Sequence, residues 1–201
     1  MRVGFFGGTF DPPHVGHVAA AKAAVRELSL DLLLVVPAGF PPKLDAPEQC
    51  TPAVHRLEMA RLAFADVPNC SVSDMELTGD GPSYTVRSME TVARRYPGAE
   101  LFLLFGSDAF ANVQRWRGAD KLFSLCTLVP IRRRVQDREE DLAEHAAELY
   151  DKFRTRTQIL SVPPVEVDST CIRQRMASRD PGVPPAVREY ILRSGLYDAK
   201  L

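Results

Sequence analysis

The sequence predicts an α/β protein in which an open parallel sheet carries helices on both faces. Short apolar runs alternate along the chain with longer amphipathic runs, which is the pattern of strand–helix–strand units. The runs at 3–6, 32–36 and 101–105 have the continuous apolar character of parallel strands that are covered on both faces. A glycine-containing segment follows each run. Because ligands bind beyond the carboxyl ends of the strands in such sheets, these segments are the first candidates for a functional site.

The remaining elements follow from periodicity and turn signals. Strands are predicted over 3–6, 32–36, 71–76, 101–105, 125–131 and 159–162. Helices are predicted over 15–28, 84–96, 137–153, 170–177 and 185–193. A further helix is predicted after Thr51 and Pro52, which resemble an N-cap and a first-turn residue.

Length, composition and charge limit the class of protein. The chain has 201 residues, 45% of them hydrophobic, which suits one domain over 1–201 with a helical C-terminal portion from about residue 168. The net charge of −1 argues against nucleic acid or an anionic membrane as a partner recognised by bulk charge. The sequence shows no leader peptide and no run of membrane-spanning length, so we expect a soluble, cytoplasmic protein.

The four cysteines, Cys50, Cys70, Cys126 and Cys171, form no CxxC pair and have no metal-like spacing. We therefore expect reduced thiols, as is usual in cytosolic proteins, rather than a zinc or redox site.

The segment from Gly7 to His17, GGTFDPPHVGH, joins the first predicted strand to the first predicted helix. Gly7 and Gly8 allow the backbone to approach a ligand closely. The N–H groups and the dipole of the following helix favour an anion such as a phosphate. His14 and His17 are three residues apart and share one face of the first helical turn, where imidazoles can donate hydrogen bonds to phosphate oxygens. The segment therefore predicts a phosphate-binding site.

This segment resembles the HxGH signature of the nucleotidyltransferases, which move a nucleotidyl group from an NTP to a phosphate-bearing acceptor. DSTCIRQR at 168–175 resembles the second signature of that superfamily, SSTxIR. GPSYTV at 81–86 is similar to the loop that holds the pyridine ring in bacterial nicotinate-mononucleotide adenylyltransferases, and Trp116 lies where that family has a stacking aromatic. The tail at 183–197 is similar to the family's C-terminal helix. The resemblance implies the Rossmann-like fold of HxGH nucleotidyltransferases.

The resemblance also implies the reaction. The chain would transfer the adenylyl group of ATP to nicotinate mononucleotide, giving nicotinate adenine dinucleotide and pyrophosphate in NAD biosynthesis. The implied catalytic residues, which hold phosphates, are His14, His17, Lys43 and Arg173. The implied ATP-binding residues are Gly7, Gly8, Thr9, Phe10, Gly106, Asp108, Ser169 and Thr170. Tyr84, Thr85 and Trp116 would bind the pyridine nucleotide. Mg²⁺ would arrive on the ATP phosphates, without dedicated protein ligands.

The residue types suit this chemistry. A phosphate monoester is already an anion at neutral pH, since its second pKa is about 6. The reaction therefore needs alignment and charge neutralisation rather than a general base or an enzyme nucleophile. The backbone N–H groups of Tyr84 and Thr85, at a predicted helix start, suit a carboxylate, which predicts a preference for nicotinate over nicotinamide mononucleotide.

Two residues depart from the family pattern. Pro42 stands where a histidine is common, which removes one phosphate donor. Asp168 stands where a serine is common, and its carboxylate would repel phosphates unless it faces away, caps the helix or meets a metal-bound water.

Several alternatives stay open from the sequence. Lys43 can be an ordinary loop lysine, Asp108 a helix cap, and Trp116 a residue that packs on a loop. We expect Arg132–Arg134 to be a solvated triple rather than an ATP contact. Another acceptor (nicotinamide mononucleotide, phosphopantetheine or a phosphoalcohol) or a non-catalytic nucleotide sensor would also fit the fold. A homo-oligomer is neither required nor excluded.

Overall fold

A parallel sheet forms the centre of the protein. The computed structural model describes residues 1–41, 50–77, 81–132, 136–160, 162–163, 165, 167–176 and 182–198. Within them lie β1 (Arg2–Gly8), β2 (Leu32–Pro37), β3 (Cys70–Val72), β4 (Glu100–Gly106) and β5 (Thr127–Ile131). The strand order is β3-β2-β1-β4-β5, and every described pair is parallel. This topology confirms the predicted sheet.

Helices connect the strands and close the fold. The described helices are α1 (Val15–Glu27), α2 (Ala53–Phe64), α3 (Thr85–Arg95), α4 (Ser107–Phe110), α5 (Ala119–Leu125), α6 (Glu139–Phe153), α7 (Ser169–Gln174) and α8 (Pro185–Arg193). Two 3₁₀ turns lie at Val113–Arg115 and Leu196–Asp198. Over the described ranges, none of the helices combines the length and the apolar character needed to cross a membrane.

The core lies on both faces of the sheet. Consecutive residues of β1 belong to opposite faces, so that Phe6 packs in a cluster with α1, α2, α7 and α8, whereas Phe5 packs in a cluster with α3, α5 and α6. Both rings are at most 5% exposed. Helices therefore cover both faces, as the apolar strands predict.

The predicted elements agree with the structure except in a few places. The strand predicted over 71–76 is shorter, because β3 ends at Val72, and α5 lies where no helix is predicted. Residues 159, 160 and 162 lie in no strand; instead Thr157 makes an isolated parallel bridge to Leu128. The prolines at 163 and 164 lack the N–H groups that a ladder needs. The strand predicted over 125–131 begins only at Thr127, because Leu125 is the last residue of α5. Pro52, and not Thr51, occupies the cap position of α2.

The carboxyl ends of four strands lie at one edge of the sheet. Gly8 at the end of β1 is in register with Pro37 of β2, and Gly106 of β4 is in register with Ile131 of β5. The segments that follow these strands therefore begin side by side, and they form the walls of the site described next.

Candidate functional site

A cavity of about 610 Å³ opens at this edge of the sheet. Its size is typical of a site for a small molecule. Ten of the predicted site residues line it: Gly7, Gly8, Thr9, Phe10, His14, His17, Gly106, Ser169, Thr170 and Arg173. The structure thus brings together residues from the first and the second signature, which are more than 150 positions apart in the chain.

The two signature histidines form a stacked pair at the start of α1. Their ring centroids are 3.6 Å apart, with an interplanar angle of 29°. His14 is the N-cap residue, and its backbone N–H donates to Nδ1 of His17 at 3.2 Å. Because Nδ1 accepts this hydrogen bond, a neutral His17 ring carries its proton on Nε2. The predicted placement of both imidazoles on one face of the helix is therefore confirmed.

Phe10 supports the histidine pair from the core. Its ring lies 5.0 Å from the His17 ring and 5.5 Å from the Phe6 ring, edge-on in both cases. The side chain is only 2% exposed, and the backbone has a left-handed conformation with φ 51°. The ring therefore belongs to the core beneath the histidine pair, and a contact between Phe10 and ATP stays a prediction.

Arg173 is held at the cavity wall by two hydrogen bonds. Its Nη1 donates to the backbone carbonyl of Asp11 at 2.7 Å, and its Nη2 donates to the hydroxyl of Thr170 at 3.3 Å. Nearby, the hydroxyl of Ser169 donates to the carbonyl of Pro12 at 3.0 Å. These contacts join α7 to the β1–α1 loop (residues 9–14). A guanidinium has five N–H donors, so a fixed Arg173 retains donors for a phosphate.

Asp168 is the N-cap of α7. Its carboxylate accepts the backbone N–H of Cys171 at 2.8 Å. Ser169 and Thr170 lie in the first turn of this helix, so the carboxylate and neither hydroxyl occupies the cap position. The carboxylate also raises the pKa of the Cys171 thiol, through a hydrogen bond and its charge. Of the three placements open to Asp168, capping is the one observed.

Tyr84 and Thr85 lie outside the cavity, at the start of α3. Tyr84 is the cap residue, and its backbone N–H donates to the carbonyl of Pro82 at 2.9 Å. That N–H group is therefore engaged, which corrects the prediction that it receives a carboxylate. Thr85 is the first residue of α3. The guanidinium groups of Arg87 and Arg117 lie 5.6 and 4.8 Å from the Tyr84 ring centre, so two positive charges lie close to the cap residue of α3.

Trp116 lies beside the same region. Its ring is half-buried, 5.4 Å from the ring of Phe105 at the end of β4. Its neighbour Arg117 contacts Tyr84, so the two segments predicted to bind the pyridine nucleotide are adjacent. Phe105 belongs to β4 and not to a loop, so Trp116 packs on the sheet rather than as the packing alternative has it. A ligand would have to stack on the rest of the ring.

Asp108 lines a second cavity, of about 600 Å³, rather than the first. The two cavities share Val167 and Asp168 in their walls, so they are neighbours. Gly106 is the cap of α4, and Asp108 lies in its first turn. The interpretation of Asp108 as the helix cap is therefore wrong. A contact between Asp108 and a ligand that reaches from the first cavity into the second stays a prediction.

Arg132 lines the first cavity, contrary to the prediction of a solvated triple. It follows β5 directly, is half-buried and donates from Nη2 to the carbonyl of Val162 at 3.4 Å. Arg132 follows a strand at the edge where the carboxyl ends of the strands lie, and this position could have identified it from the sequence as a site residue. Arg133, Arg134, Lys43 and Pro42 lie outside the described residues.

Sequence reasoning missed the buried arginine of α2. Arg56 is 2% exposed, and it donates to three backbone carbonyls: Nε to Thr51 at 2.8 Å, Nη1 to Thr9 at 2.8 Å and Nη2 to Gly39 at 3.4 Å. Thr9 follows β1, Gly39 follows β2, and Thr51 precedes α2. The Arg56 guanidinium therefore connects three backbone segments at the edge of the sheet where the carboxyl ends of the strands lie.

Asp11 was missed as well. It lines the cavity and is 5% exposed. One carboxylate oxygen accepts the hydroxyl of Tyr197 at 2.5 Å, and the other accepts the backbone N–H of Thr51 at 3.1 Å. Its backbone carbonyl binds Arg173. All three partners belong to distant parts of the chain.

Comparison with known proteins gives one consistent result. The cytidylyltransferase-like family model matches residues 5–175. A probable nicotinate-nucleotide adenylyltransferase from Gemmatimonas aurantiaca is 40% identical over 98% of this chain and 92% of its own. The nicotinate-nucleotide adenylyltransferase from Bacillus subtilis is 32% identical over 98% of this chain and 99% of its own.

A solved structure agrees in fold. Nicotinic acid mononucleotide adenylyltransferase from Plasmodium falciparum, complexed with NaAD, superimposes with a TM-score of 0.80 at 17% identity. The match covers 98% of this chain and 97% of the parasite chain. With relatives at 32% and 40% identity along almost its whole length, the chain belongs to the cytidylyltransferase-like family and, within it, to the nicotinate-nucleotide adenylyltransferases.

Proposed function

We propose that the protein transfers the adenylyl group of ATP to nicotinate mononucleotide, forming nicotinate adenine dinucleotide and releasing pyrophosphate. The observation that carries the proposal is the stacked pair of His14 and His17 on the cavity wall that also holds Arg173. The names of the relatives and the NaAD complex of the Plasmodium falciparum structure support nicotinate mononucleotide as the acceptor.

The reaction is an in-line displacement at phosphorus. A phosphate oxygen of the mononucleotide forms a bond to the α-phosphorus of ATP, and the bond from that phosphorus to the bridging oxygen of pyrophosphate breaks. The acceptor is already ionised, so no proton has to be removed. The work of the protein is then to align two polyanions and to stabilise the charge that develops on the transferred group and on the leaving pyrophosphate.

His17 has the geometry of a phosphate donor. Its Nδ1 accepts from the backbone N–H of His14, so a neutral ring carries its proton on Nε2, and an N–H group is the kind of donor that binds a phosphate oxygen. Arg173, from the second signature, supplies a permanent positive charge. The start of α1 adds a favourable dipole, whereas the N–H groups of Val15 and His17 donate to the carbonyls of Gly182 and His14. These groups together suit the α-phosphate and the leaving pyrophosphate.

Mg²⁺ fits the site as a companion of ATP. The described ranges hold no cluster of three His, Cys, Asp or Glu side chains that could hold a metal ion. Mg²⁺ commonly keeps water molecules and phosphate oxygens as ligands, so triphosphate oxygens would hold it here. Its chemistry when bound is neutralisation of phosphate charge.

The region proposed to bind the acceptor, at the start of α3 and Trp116, favours a substrate with a carboxylate. The start of α3 at Thr85 and the guanidinium groups of Arg87 and Arg117 near Tyr84 create a positive region beside Trp116. Nicotinate carries a carboxylate, whereas nicotinamide carries a neutral amide. We therefore expect the acid mononucleotide to be the better acceptor, although the N–H group of Tyr84 is engaged with Pro82.

The test is pyrophosphate release from ATP and Mg²⁺ with nicotinate mononucleotide and nicotinamide mononucleotide in parallel. Fast release with the acid and slow release with the amide is the expected result. Equal kcat/KM for the two mononucleotides would overturn the carboxylate argument. Release with neither acceptor, in a protein that binds ATP, would favour a nucleotide sensor or another acceptor, and phosphopantetheine and a phosphoalcohol would then be assayed.

The cytoplasm is the proposed compartment. All four cysteines are free, which suits a reducing environment. Mass spectrometry of thiols alkylated in fresh cell lysate checks this, since an inter-residue disulfide would contradict it.

A further inference from the structure

We propose that Tyr197, in the 3₁₀ turn at Leu196–Asp198, is a positioning residue for the adenylyl transfer and acts through Asp11 on Arg173. The inference rests on the proposed function for its assay. The observation that carries it is a chain of two direct contacts: the Tyr197 hydroxyl binds the Asp11 carboxylate, and the Asp11 carbonyl binds the Arg173 guanidinium.

Asp11 is in contact with three residues, Thr51, Arg173 and Tyr197. Both carboxylate oxygens of Asp11 are engaged, one with Tyr197 at 2.5 Å and the other with the Thr51 N–H at 3.1 Å. A buried carboxylate that is bonded at both oxygens has a fixed side-chain rotamer. The orientation of Asp11, including its backbone carbonyl, therefore depends on Tyr197.

The β1–α1 loop receives much of its support from distant segments. Its Thr9 carbonyl accepts from Arg56, its Asp11 carbonyl from Arg173 and its Pro12 carbonyl from Ser169. A loop held in this way changes shape when one of its anchors is lost. Because Arg173 donates at 2.7 Å to the Asp11 carbonyl, a displaced Asp11 reorients the guanidinium that we expect to bind the triphosphate.

Tyr197 is built to be a donor to Asp11. Its backbone has a left-handed conformation, φ 59° and ψ 34°, which is unfavourable for a residue with a β-carbon. Burial and the neighbouring Asp11 charge raise the pKa of its hydroxyl well above the usual value, so the hydroxyl stays protonated at neutral pH. The hydrogen bond to Asp11 is therefore present under the conditions of the reaction.

The chain offers a matched control in Tyr190. Its hydroxyl bonds to Nδ1 of His55 at 2.8 Å and so joins α8 to α2, the helix whose Met59 also contacts Tyr197. Neither Tyr190 nor His55 lines the cavity. Replacing either tyrosine by phenylalanine removes one part-buried hydroxyl near the C-terminus, but only one of the two hydroxyls is connected to Arg173.

The experiment compares wild type, Tyr197→Phe and Tyr190→Phe by kcat, by KM for ATP and for nicotinate mononucleotide, and by urea unfolding. We expect Tyr197→Phe to lower kcat/KM for ATP by about 10- to 100-fold. Its KM for nicotinate mononucleotide and the kinetics of Tyr190→Phe should stay within about twofold of wild type. Equal kinetic effects of the two variants, or an unchanged kcat/KM for ATP in Tyr197→Phe, would overturn the inference.

A double-mutant cycle tests the route through Arg173. In an Arg173→Lys background, Tyr197→Phe should cost much less in kcat/KM for ATP than it does in wild type, because the group it positions is gone. Full additivity would overturn the route. If Tyr197→Phe does not fold, Asp11→Asn takes its place and should show the same selective loss toward ATP; equal losses toward both substrates would count against the inference.

Failure of the proposed function gives a different result. If wild type releases no pyrophosphate with nicotinate mononucleotide, the acceptor is wrong, and the comparison is made on the Kd for ATP instead. Weaker ATP binding by Tyr197→Phe than by Tyr190→Phe would still support the role of Tyr197, and equal binding would overturn it.

Discussion

The carboxylate of Asp168 accepts the backbone N–H of Cys171 at 2.8 Å, which makes an acidic residue the N-cap of the helix that carries Arg173. A negative charge is favourable at a helix N-terminus, and aspartate is among the best N-cap residues. The same side chain lines both cavities. Helix stability and the proposed phosphate binding therefore favour different residues at position 168.

Replacing Asp168 by serine separates these two effects. Serine caps helices about as well as aspartate does, so we expect the free energy of unfolding to change by less than about 0.5 kcal/mol. Removal of the carboxylate should lower KM for ATP. In contrast, Asp168→Ala should lose about 1 kcal/mol of stability. Urea unfolding and ATP titration of the two variants check this, and a higher KM for ATP in Asp168→Ser would contradict it.

His17→Ala removes the proposed phosphate donor. Loss of one donor to a developing charge typically costs about 100-fold or more in kcat, and we expect a loss of this size with an unchanged circular dichroism spectrum. His145→Ala is the control, because that ring lies in α6 next to Glu148 and does not line the cavity. Near-wild-type turnover by His17→Ala would exclude the proposed role.

Arg56→Met leaves three backbone carbonyls without their donor. A buried acceptor that loses its partner costs about 1–3 kcal/mol, so the variant should lose several kcal/mol of stability. Arg61→Met on the same helix is the matched control: its side chain is 53% exposed and pairs with Glu58. Surface changes of this kind stay within about 0.5 kcal/mol. Similar urea midpoints for the two variants would show that the three contacts of Arg56 are weak.

The sequence was informative where the relevant partners are close along the chain. The spacing of His14 and His17 predicts their shared helix face, and the apolar runs predict buried parallel strands; both are confirmed. The cap role of Asp168 is also a local property. Asp168 immediately precedes the first helical residue, which is the position of an N-cap, whereas Ser169 and Thr170 lie inside the helix.

The missed residues have distant partners. Asp11 binds Thr51, Arg173 and Tyr197, which are 40, 162 and 186 positions away, so no local pattern relates them. Arg56 did carry a signal, because it shares the apolar stripe of α2 with three buried residues, Met59, Ala60 and Ala63. A charged side chain on such a stripe must find polar partners inside the protein.

The buried Cys126 predicts how stability depends on alkaline pH. Burial raises the pKa of its thiol from 9.0 to about 12, against the opposing effect of the Arg156 charge. The folded protein therefore keeps the thiol proton between pH 9 and 12, whereas the unfolded chain releases it. Because the folded pKa is the higher one, this contribution to stability is complete below pH 9 and is lost as the pH rises toward 12.

Urea unfolding of wild type and Cys126→Ala at pH 8, 9, 10 and 11 isolates this effect. We expect the wild-type free energy of unfolding to fall more steeply above pH 9, by about 1.4 kcal/mol per pH unit for a single thiol. Other groups titrate in the same range, but they are common to both proteins and cancel in the difference. Parallel curves would mean that the Cys126 thiol ionises as readily in the folded protein as in the unfolded chain.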